Sequence, residues 1–411
     1  MNETLASQRA RGMQDLLPDE MERVRAVETA FAQTCRAWGY REIRTPVIEP
    51  LHLFTAAGTL SPQTLDRVYS FLDWDGWSGE RVVLRPDSTI PAARLYAERL
   101  ADAGVAKLFY RQNIFRFTDD GTSREEWQCG AELFGETGPA GDIELVLMAL
   151  DVLGKLRRPE DLTVRLSHAG LVRAVLASAG MTDEEQAAAY DRLLDGDLGV
   201  VEEVEARLPR LNAPLRLLFD VEGSGSGYIA NVRSAIVADV PALAAPLDEL
   251  GFIVAALEAR GVTPIVQAAL TRSFEYYSGM VMRIDVAGRR VCAGGRYDAL
   301  VRLVGERDVP ASGFAIYVTP LVEMMVDETP PAAAVRVDVR AAGDDARSIA
   351  AAHAAAAALR MAGIIAETTQ PSAPVECTLE CVGDGFRLRG DGAERTFKTL
   401  DDVLKALGAG R

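Results

Sequence analysis

Alternating polar side chains between residues 126 and 132 could do chemistry. In an extended strand, Glu126, Gln128, Gly130 and Glu132 share one face, because successive side chains point to opposite sides. Carboxylates accept hydrogen bonds, an amide both donates and accepts them, and the glycine would leave room for a ligand. Two interpretations follow, a solvent-exposed face or the floor of a binding pocket. The alternation alone favours solvent.

A second group of candidate side chains lies within residues 270–304. It comprises Arg272, Tyr276 and Tyr277. Downstream, the paired glycines at 294–295 predict a tight turn or a close approach of the backbone to a ligand. Aromatic residues of strands usually belong to the core, so Tyr276 and Tyr277 have a structural interpretation as well. For Arg296 and Tyr297 the pattern favours a strand-to-helix corner.

A long hairpin is predicted to position the first group. Residues 107–135 contain two β-rich runs on either side of the turn-rich sequence TDDGTS, which is typical of an antiparallel hairpin.

Apolar residues recur every three or four positions over residues 19–39, which predicts a helix. The segment 180–261 is mostly helical and acidic in pattern. Its GSGSG run at 223–227 lacks the spacing of a phosphate-binding loop and predicts a flexible connector.

Composition narrows the class of protein. The 411 residues carry a formal net charge of −16, so the surface on average repels nucleic-acid backbones. The first twenty residues do not resemble a signal peptide, and no apolar run predicts a membrane-spanning helix. Five cysteines and three histidines are too scattered for a zinc site or a disulfide framework. We expect a cytoplasmic protein without a metal.

Several separated segments, in order, resemble the histidyl-tRNA synthetase family of class II synthetases. RGMQDLLPDE and WGYREIRTPVIEP resemble its N-terminus and dimerisation motif 1, and LRPDST resembles its amino-acid-site loop. FRF followed by GTSREEWQCGAELFG resembles motif 2. LTRSFEYYSG and CAGGRYDAL resemble the two histidine-specific signatures, and GFAIYVTPL takes the place of motif 3. The resemblance covers most of residues 8–325.

This resemblance implies a histidine-binding site, residue by residue. The positions that match the family's contacts to the α-amino group are Asp87, Thr89 and Gln128. Those that match its contacts to the carboxylate are Arg116 and Arg272. Those that match its contacts to the imidazole are Glu132 and Tyr277, with Tyr276 beside them. The chemistry suits the ligand, since ammonium needs acceptors, carboxylate needs guanidinium, and imidazole needs both donor and acceptor. The resemblance therefore favours a binding pocket over a solvent-exposed surface for the polar face.

The residues that activate histidine with ATP in that family are altered here. Motif 3 normally carries a phosphate-binding Arg, and the aligned position is Pro320, between Thr319 and Leu321. The motif 2 loop, normally basic, contains Asp119 and Asp120. Adenylate synthesis needs cations at the reacting phosphate, so these changes argue against it.

A histidine pocket without adenylation resembles a paralogous family, the regulatory subunits of ATP phosphoribosyltransferase. This implies no catalysis by the chain itself, no cofactor, L-histidine as ligand, a dimer of the chain, and a short-form catalytic subunit as partner. Neither nucleic acid nor membrane is expected as a partner. The alternatives are a divergent histidyl-tRNA synthetase and an amino-acid sensor with another partner.

The implied fold is α+β. The class II core, a mixed and largely antiparallel sheet flanked by helices, would span residues 1–325 and include a mostly helical insertion at about 180–260. Residues 326–334 would form a linker. Residues 335–411 would form a small α/β domain, degenerate and similar to an anticodon-binding domain. This last segment has ten Lys and Arg against eleven Asp and Glu, a net charge of −1.

Overall fold

The structure is a computed structural model of the chain. It describes residues 9–57, 65–74, 79–117, 123–157, 159–194, 197, 199–219, 222–270, 277–325, 335–371, 374–383, 385–390 and 392–408. The chain divides into two compact units, Met1–Val326 and Asp327–Arg411. Each unit is described by itself.

The first unit contains both strands and helices. Its strands are β1 (Arg41–Glu42), β2 (Ile48–Pro50), β3 (Ser70–Trp74), β4 (Gly79–Leu84), β5 (Ala106–Ile114), β6 (Glu126–Phe134), β7 (Leu162–His168), β8 (Gly223–Ser224), β9 (Ile265–Val266), β10 (Met280–Val286), β11 (Arg289–Arg296) and β12 (Ala311–Tyr317). Its helices are α1 (Pro18–Ala37), α2 (Leu51–Ala56), α3 (Thr89–Arg99), α4 (Pro139–Leu153), α5 (Ala169–Ser178), α6 (Asp183–Leu194), α7 (Gly199–Arg207), α8 (Asn212–Phe219), α9 (Gly225–Ile236), α10 (Ala244–Glu258), α11 (Leu300–Gly305) and α12 (Val318–Met324).

A nine-stranded sheet forms the centre of this unit. Its order is β1-β5-β6-β12-β11-β10-β7-β9-β8. The five neighbouring pairs from β5 to β7 are all antiparallel, whereas β1 pairs with β5 and β9 with β7 in parallel. The prediction of a mixed, largely antiparallel sheet flanked by helices is confirmed.

One face of the sheet packs against α1 and α4. The strand residues Cys129, Ala131 and Leu133 belong to the same buried cluster as Phe31 of α1. The Phe31 ring makes edge contacts with Phe109 on β5, at 6.0 Å between ring centres. Burial of this apolar side forces the alternating residues Gln128, Gly130 and Glu132 to the opposite face. The predicted hairpin and its division into an apolar and a polar face are confirmed.

The GSGSG segment is not a flexible connector. Gly223–Ser224 forms β8, and α9 begins at Gly225, so the run is a strand-to-helix junction. Gly225 has φ +66°, a conformation that glycine adopts without strain. The Ser226 N–H donates to Glu258 Oε1 at 2.8 Å. A carboxylate of the protein itself therefore takes the place where an anionic ligand would bind a helix N-terminus.

A smaller sheet has the order β2-β4-β3 and leaves β3 at its edge. In the part of the chain that the structure describes, no helix is long and apolar enough to cross a membrane. The described residues also contain no cluster of three or more metal-ligating side chains.

The second unit is a five-stranded sheet with two helices. Its strands are β13 (Arg336–Ala341), β14 (Ile365–Glu367), β15 (Cys377–Val382), β16 (Gly385–Gly390) and β17 (Ala393–Phe397), and its helices are α13 (Ala346–Met361) and α14 (Leu400–Ala406). The order is β14-β13-β15-β16-β17, with β13 parallel to both neighbours and the remaining pairs antiparallel. Its likeness to an anticodon-binding domain stays a prediction.

Candidate functional site

Glu132 lies at the centre of a group of polar side chains on the face of the nine-stranded sheet opposite α1 and α4. Its side chain has no exposed surface. The Tyr110 hydroxyl, on β5, donates to Oε1 at 2.9 Å, and the Tyr297 hydroxyl donates to Oε2. Burial raises the pKa of Glu132 to about 8, although both phenols oppose the rise by donating to the carboxylate. Glu132 therefore holds its proton at neutral pH when no ligand is present.

Glycines make the space for this arrangement. A Cβ on Gly130 would lie 2.3 Å from the Tyr110 hydroxyl, and one on Gly313 would lie 2.1 Å from Glu132 Oε2. The room beside Gly130, expected for a ligand, is thus taken by the Tyr110 ring. The glycines at 294–295 lie within β11, so they form no turn. Side chains there would meet the protein itself, at Gly313 and at Tyr277.

Asp87 and Thr89 reach the same group from the start of α3. The Ile90 N–H donates to Asp87 Oδ1 at 2.9 Å, which holds the carboxyl against the first helical turn. Burial raises the pKa of Asp87, and the Ile90 N–H and the charge of Arg116 oppose that rise. The hydroxyls of Thr89 and Tyr110 are 3.4 Å apart, which joins α3 to the hairpin.

Gln128 and Tyr277 lie on either side of Glu132. Gln128 is buried and pairs across the hairpin with Gln112, whose amide contacts Thr45 Oγ1 at 3.1 Å. The Tyr277 ring is half-buried, with its centre 6.5 Å from that of Tyr297. We call the residues gathered here the Glu132 cluster. It comprises Asp87, Thr89, Tyr110, Gln128, Glu132, Tyr277 and Tyr297.

The remaining predicted site residues stand apart from this cluster or outside the description. Arg116 is exposed at the end of β5, and its charge reaches Asp87. Arg272 and Tyr276 lie outside the described residues. Tyr110 and Tyr297 were not predicted as site residues. Register could have found Tyr110, because a bulky residue directly opposite Gly130 must fill the space that the glycine leaves.

The segment Arg296–Asp298 fixes Tyr297 and the backbone after Tyr277. The Arg296 guanidinium bonds Asp142 at 2.9 Å and the Gly138 carbonyl at 2.7 Å, which are the contacts of a structural corner. Ser278 Oγ donates to Asp298 Oδ2 at 2.9 Å and accepts from the Asp298 N–H at 2.9 Å. The corner therefore holds Tyr277 and Tyr297, two of the three tyrosines of the cluster. The corner interpretation describes Arg296 fully but omits the contact from Tyr297 to Glu132.

The motif 3 and motif 2 positions offer few groups for a nucleotide. Thr319 and Pro320 lie in the first turn of α12. The missing N–H of a first-turn proline breaks no helical hydrogen bond, so the loss at Pro320 is that of a guanidinium alone. Arg124 survives from motif 2, but its guanidinium lies 4.1 Å from the centre of the Phe117 ring and contacts Tyr69. The loop with Asp119 and Asp120 lies outside the described residues.

Comparison with known proteins places this geometry in a family. The family model for histidyl-tRNA synthetase matches residues 12–321. A protein from Dehalococcoides mccartyi named ATP phosphoribosyltransferase regulatory subunit is 44% identical over 365 residues, which are 88% of each chain. The chain belongs to the family of ATP phosphoribosyltransferase regulatory subunits. A member from Symbiobacterium thermophilum is 36% identical over 87% of this chain and 89% of its own.

Members of this family share their core with the synthetases. The histidine–tRNA ligase of Methanosarcina acetivorans is 32% identical over 75% of this chain and 73% of its own. A solved structure from Bacillus halodurans C, described as an ATP phosphoribosyltransferase regulatory subunit/histidyl-tRNA synthetase, has a TM-score of 0.74 at 24% identity. It covers 93% of this chain and 100% of that one. These structural likenesses show the fold. The names of the closer relatives support a regulatory, non-catalytic role.

Proposed function

We propose that this chain is the non-catalytic regulatory subunit of an ATP phosphoribosyltransferase complex. It activates a short-form catalytic subunit in the first step of histidine biosynthesis and carries feedback control by histidine. The observation that carries the proposal is a contrast within one site. Apart from Arg116, the described positions that match the family's histidine contacts lie in the Glu132 cluster, whereas Pro320 stands where the phosphate-binding arginine would be.

L-Histidine is the proposed ligand of the Glu132 cluster. The ammonium group would bind Asp87, Thr89 and Gln128, and the imidazole would bind between Glu132 and Tyr277. The carboxylate would bind Arg116, with Arg272 and Tyr276 completing the site. A proton held by Glu132 supports this ligand, because an imidazole that donates a hydrogen bond can replace that proton and stabilise the carboxylate.

Self-association is proposed through motif 1 and the neighbouring small sheet. The edge strand β3 exposes Phe71, Leu72 and Trp74, the last with 66% of its surface accessible. Motif 1 itself exposes Val47 and Ile48. Apolar side chains on an unpaired strand edge favour pairing with another chain, so this surface suits a second copy.

The cytoplasm is the expected location. The five cysteines are all free and buried, which suits a reducing compartment.

A reconstitution assay tests the proposal. The rate of the short-form catalytic subunit is measured alone, with this chain, and with this chain plus histidine. We expect a rise of at least about tenfold on mixing and its reversal by histidine, because histidine binds the two states of the complex differently. An unchanged rate on mixing would refute the proposal. Histidine-dependent ATP–pyrophosphate exchange by the chain alone would then identify a synthetase, and its absence would leave a sensor with another partner.

A further inference from the structure

Four neighbouring strands end together beside the Glu132 cluster. Arg116 follows β5, Glu126 begins β6, Tyr317 ends β12, and Arg290 lies at the start of β11. Because each of the three strand pairs is antiparallel, these ends lie along one edge of the sheet. We call this edge the mouth. Tyr317 pairs directly with Gln128, so the mouth adjoins the cluster.

A β-bulge turns Arg290 towards the mouth. Ile284 pairs with Cys292, but the next residue, Asp285, pairs with Arg290, so Val291 has no opposite residue. If Val291 instead paired with Asp285 in regular alternation, Arg290 would share the face of Cys292, which packs in the apolar core. With the bulge it shares the face of Gln128 and Glu132. Its guanidinium lies 5.1 Å from the centre of the Tyr317 ring.

The two arginines of the mouth have no carboxylate partner among the described residues within ion-pair distance. Asp285, opposite Arg290 in the ladder, already bonds Arg283 at 2.7 Å and Arg165 at 3.3 Å. By contrast Arg289, the preceding residue, pairs with Glu323. Arg290 is thus a cation with an open guanidinium edge, fixed over an aromatic ring.

The effect of the Arg290 charge on two neighbouring tyrosines also supports its position at the mouth. Burial raises the pKa of both Tyr277 and Tyr317, and the charge of Arg290 opposes the rise in each. Arg116 opposes it in Tyr317, whereas the carboxylate of Glu126 adds to it. Among the described residues, two cations and one anion therefore act on Tyr317, so the described charges at the mouth are net positive.

We propose that Arg290, together with Arg116, binds the carboxylate of the amino acid whose side chain occupies the Glu132 cluster. This inference rests on the proposed function, and it adds a specificity residue that the family resemblance does not supply. A guanidinium that lies on an aromatic face presents its N–H groups at the edge, where a planar carboxylate can accept two of them. Asp87, an acceptor, takes the ammonium group of the same zwitterion. Phosphate offers the same chemistry, so the test must separate the two anions.

The test compares ligands with and without a carboxylate on the full-length chain. Isothermal titration measures L-histidine and histamine, which lacks the carboxylate, against the wild type, Arg290→Gln and Arg289→Gln. We expect Arg290→Gln to weaken histidine about tenfold, or about 1.4 kcal/mol, and to change histamine less than about twofold. Arg289→Gln, one residue away and paired with Glu323, should bind both ligands as the wild type does.

The other possible outcomes of this titration each contradict a specific part of the inference. Unchanged histidine affinity in Arg290→Gln, or an equal loss for histamine, removes Arg290 from carboxylate binding. Inorganic pyrophosphate that binds the wild type and not Arg290→Gln, with histidine unaffected, reassigns the mouth to a phosphate. A wild type that binds neither histidine nor histamine overturns the proposed function and this inference with it.

Discussion

The Glu132 cluster and the mouth lie on one face of one sheet but present different groups. In the cluster, Tyr110 and Tyr297 donate to Glu132, whose carboxyl stays neutral because burial raises its pKa to about 8. At the mouth, the guanidinium side chains of Arg116 and Arg290 are exposed to solvent. We propose that a small zwitterion with a hydrogen-bonding side chain spans both regions. Binding of a nucleoside triphosphate needs several more cations at its phosphates, and the described start of α12 supplies none.

On the proposed function, the difference teaches how one site keeps recognition and loses catalysis. Recognition of histidine needs short-range partners for a few atoms, which hydrogen bonds inside the sheet provide. Adenylation also needs charge at a distant phosphate, and the start of α12 carries Thr319 and Pro320 where the synthetases carry an arginine. Replacement by Pro320 leaves the helix and the cluster intact, so the two properties are separable in this fold.

The largest expected effect comes from removing the carboxylate at the centre of the Glu132 cluster. Glu132→Ala removes the acceptor of two phenols and of the ligand's imidazole, and we expect histidine affinity to fall by about 2–3 kcal/mol. Isothermal titration measures the affinity, and the reconstituted complex should stay active but resist histidine. Glu98→Ala, which removes an exposed carboxylate of α3, serves as the control. Unchanged histidine affinity in Glu132→Ala would show that the cluster is not the histidine site.

A second prediction concerns the charge state that distinguishes the cluster from the mouth. The folded Glu132 carboxyl keeps its proton up to about pH 8, whereas the unfolded carboxyl, with an ordinary pKa of 4.5, has lost it. Unfolding in this window releases a proton, so a rise in pH favours the unfolded chain. Glu132 should make stability fall by at most about 1.4 kcal/mol per pH unit between the two values.

Glu132→Gln removes that dependence while it keeps the shape of the side chain. Denaturant unfolding of both chains, between pH 6 and 8, gives the difference in their slopes. Tryptophan fluorescence reports the first unit, since residues 38, 74, 77 and 127 are the four tryptophans. Parallel slopes for the two chains would mean that Glu132 is ionised in the folded protein.

Much of the cluster was predictable from the sequence, and the mouth much less so. The alternation in β6 predicted the face of Gln128 and Glu132, because a buried apolar side fixes which residues turn away from it. Tyr297 was missed because it meets Glu132 across 165 residues, and local pattern carries no such information. Arg290 was not among the predicted site residues, and strand alternation could not have found it, because the bulge at Val291 reverses the face that regular alternation would give it.

The smallest expected effect concerns the corner formed by Arg296–Asp298, which supports the cluster. Asp298→Ala removes the acceptor of Ser278 Oγ, of one Arg296 N–H and of the Ala311 N–H, which loosens the corner beside Tyr277 and leaves Glu132 and its two phenols in place. We expect histidine affinity to fall about three- to tenfold, since one hydrogen bond of about 1 kcal/mol ceases to orient the ring. Histamine should lose affinity by the same factor, because the corner supports the imidazole and not the carboxylate.

Equal losses for the two ligands in Asp298→Ala, set against unequal losses in Arg290→Gln, would separate the functions of the corner and the mouth. Asp102→Ala, which removes an exposed carboxylate paired with Arg307, is the matched control. If Asp298→Ala lowers the free energy of unfolding but leaves both affinities unchanged, the corner stabilises the sheet alone. The orientation of Tyr277 must then depend on other contacts of its ring, such as the close approach at Gly295.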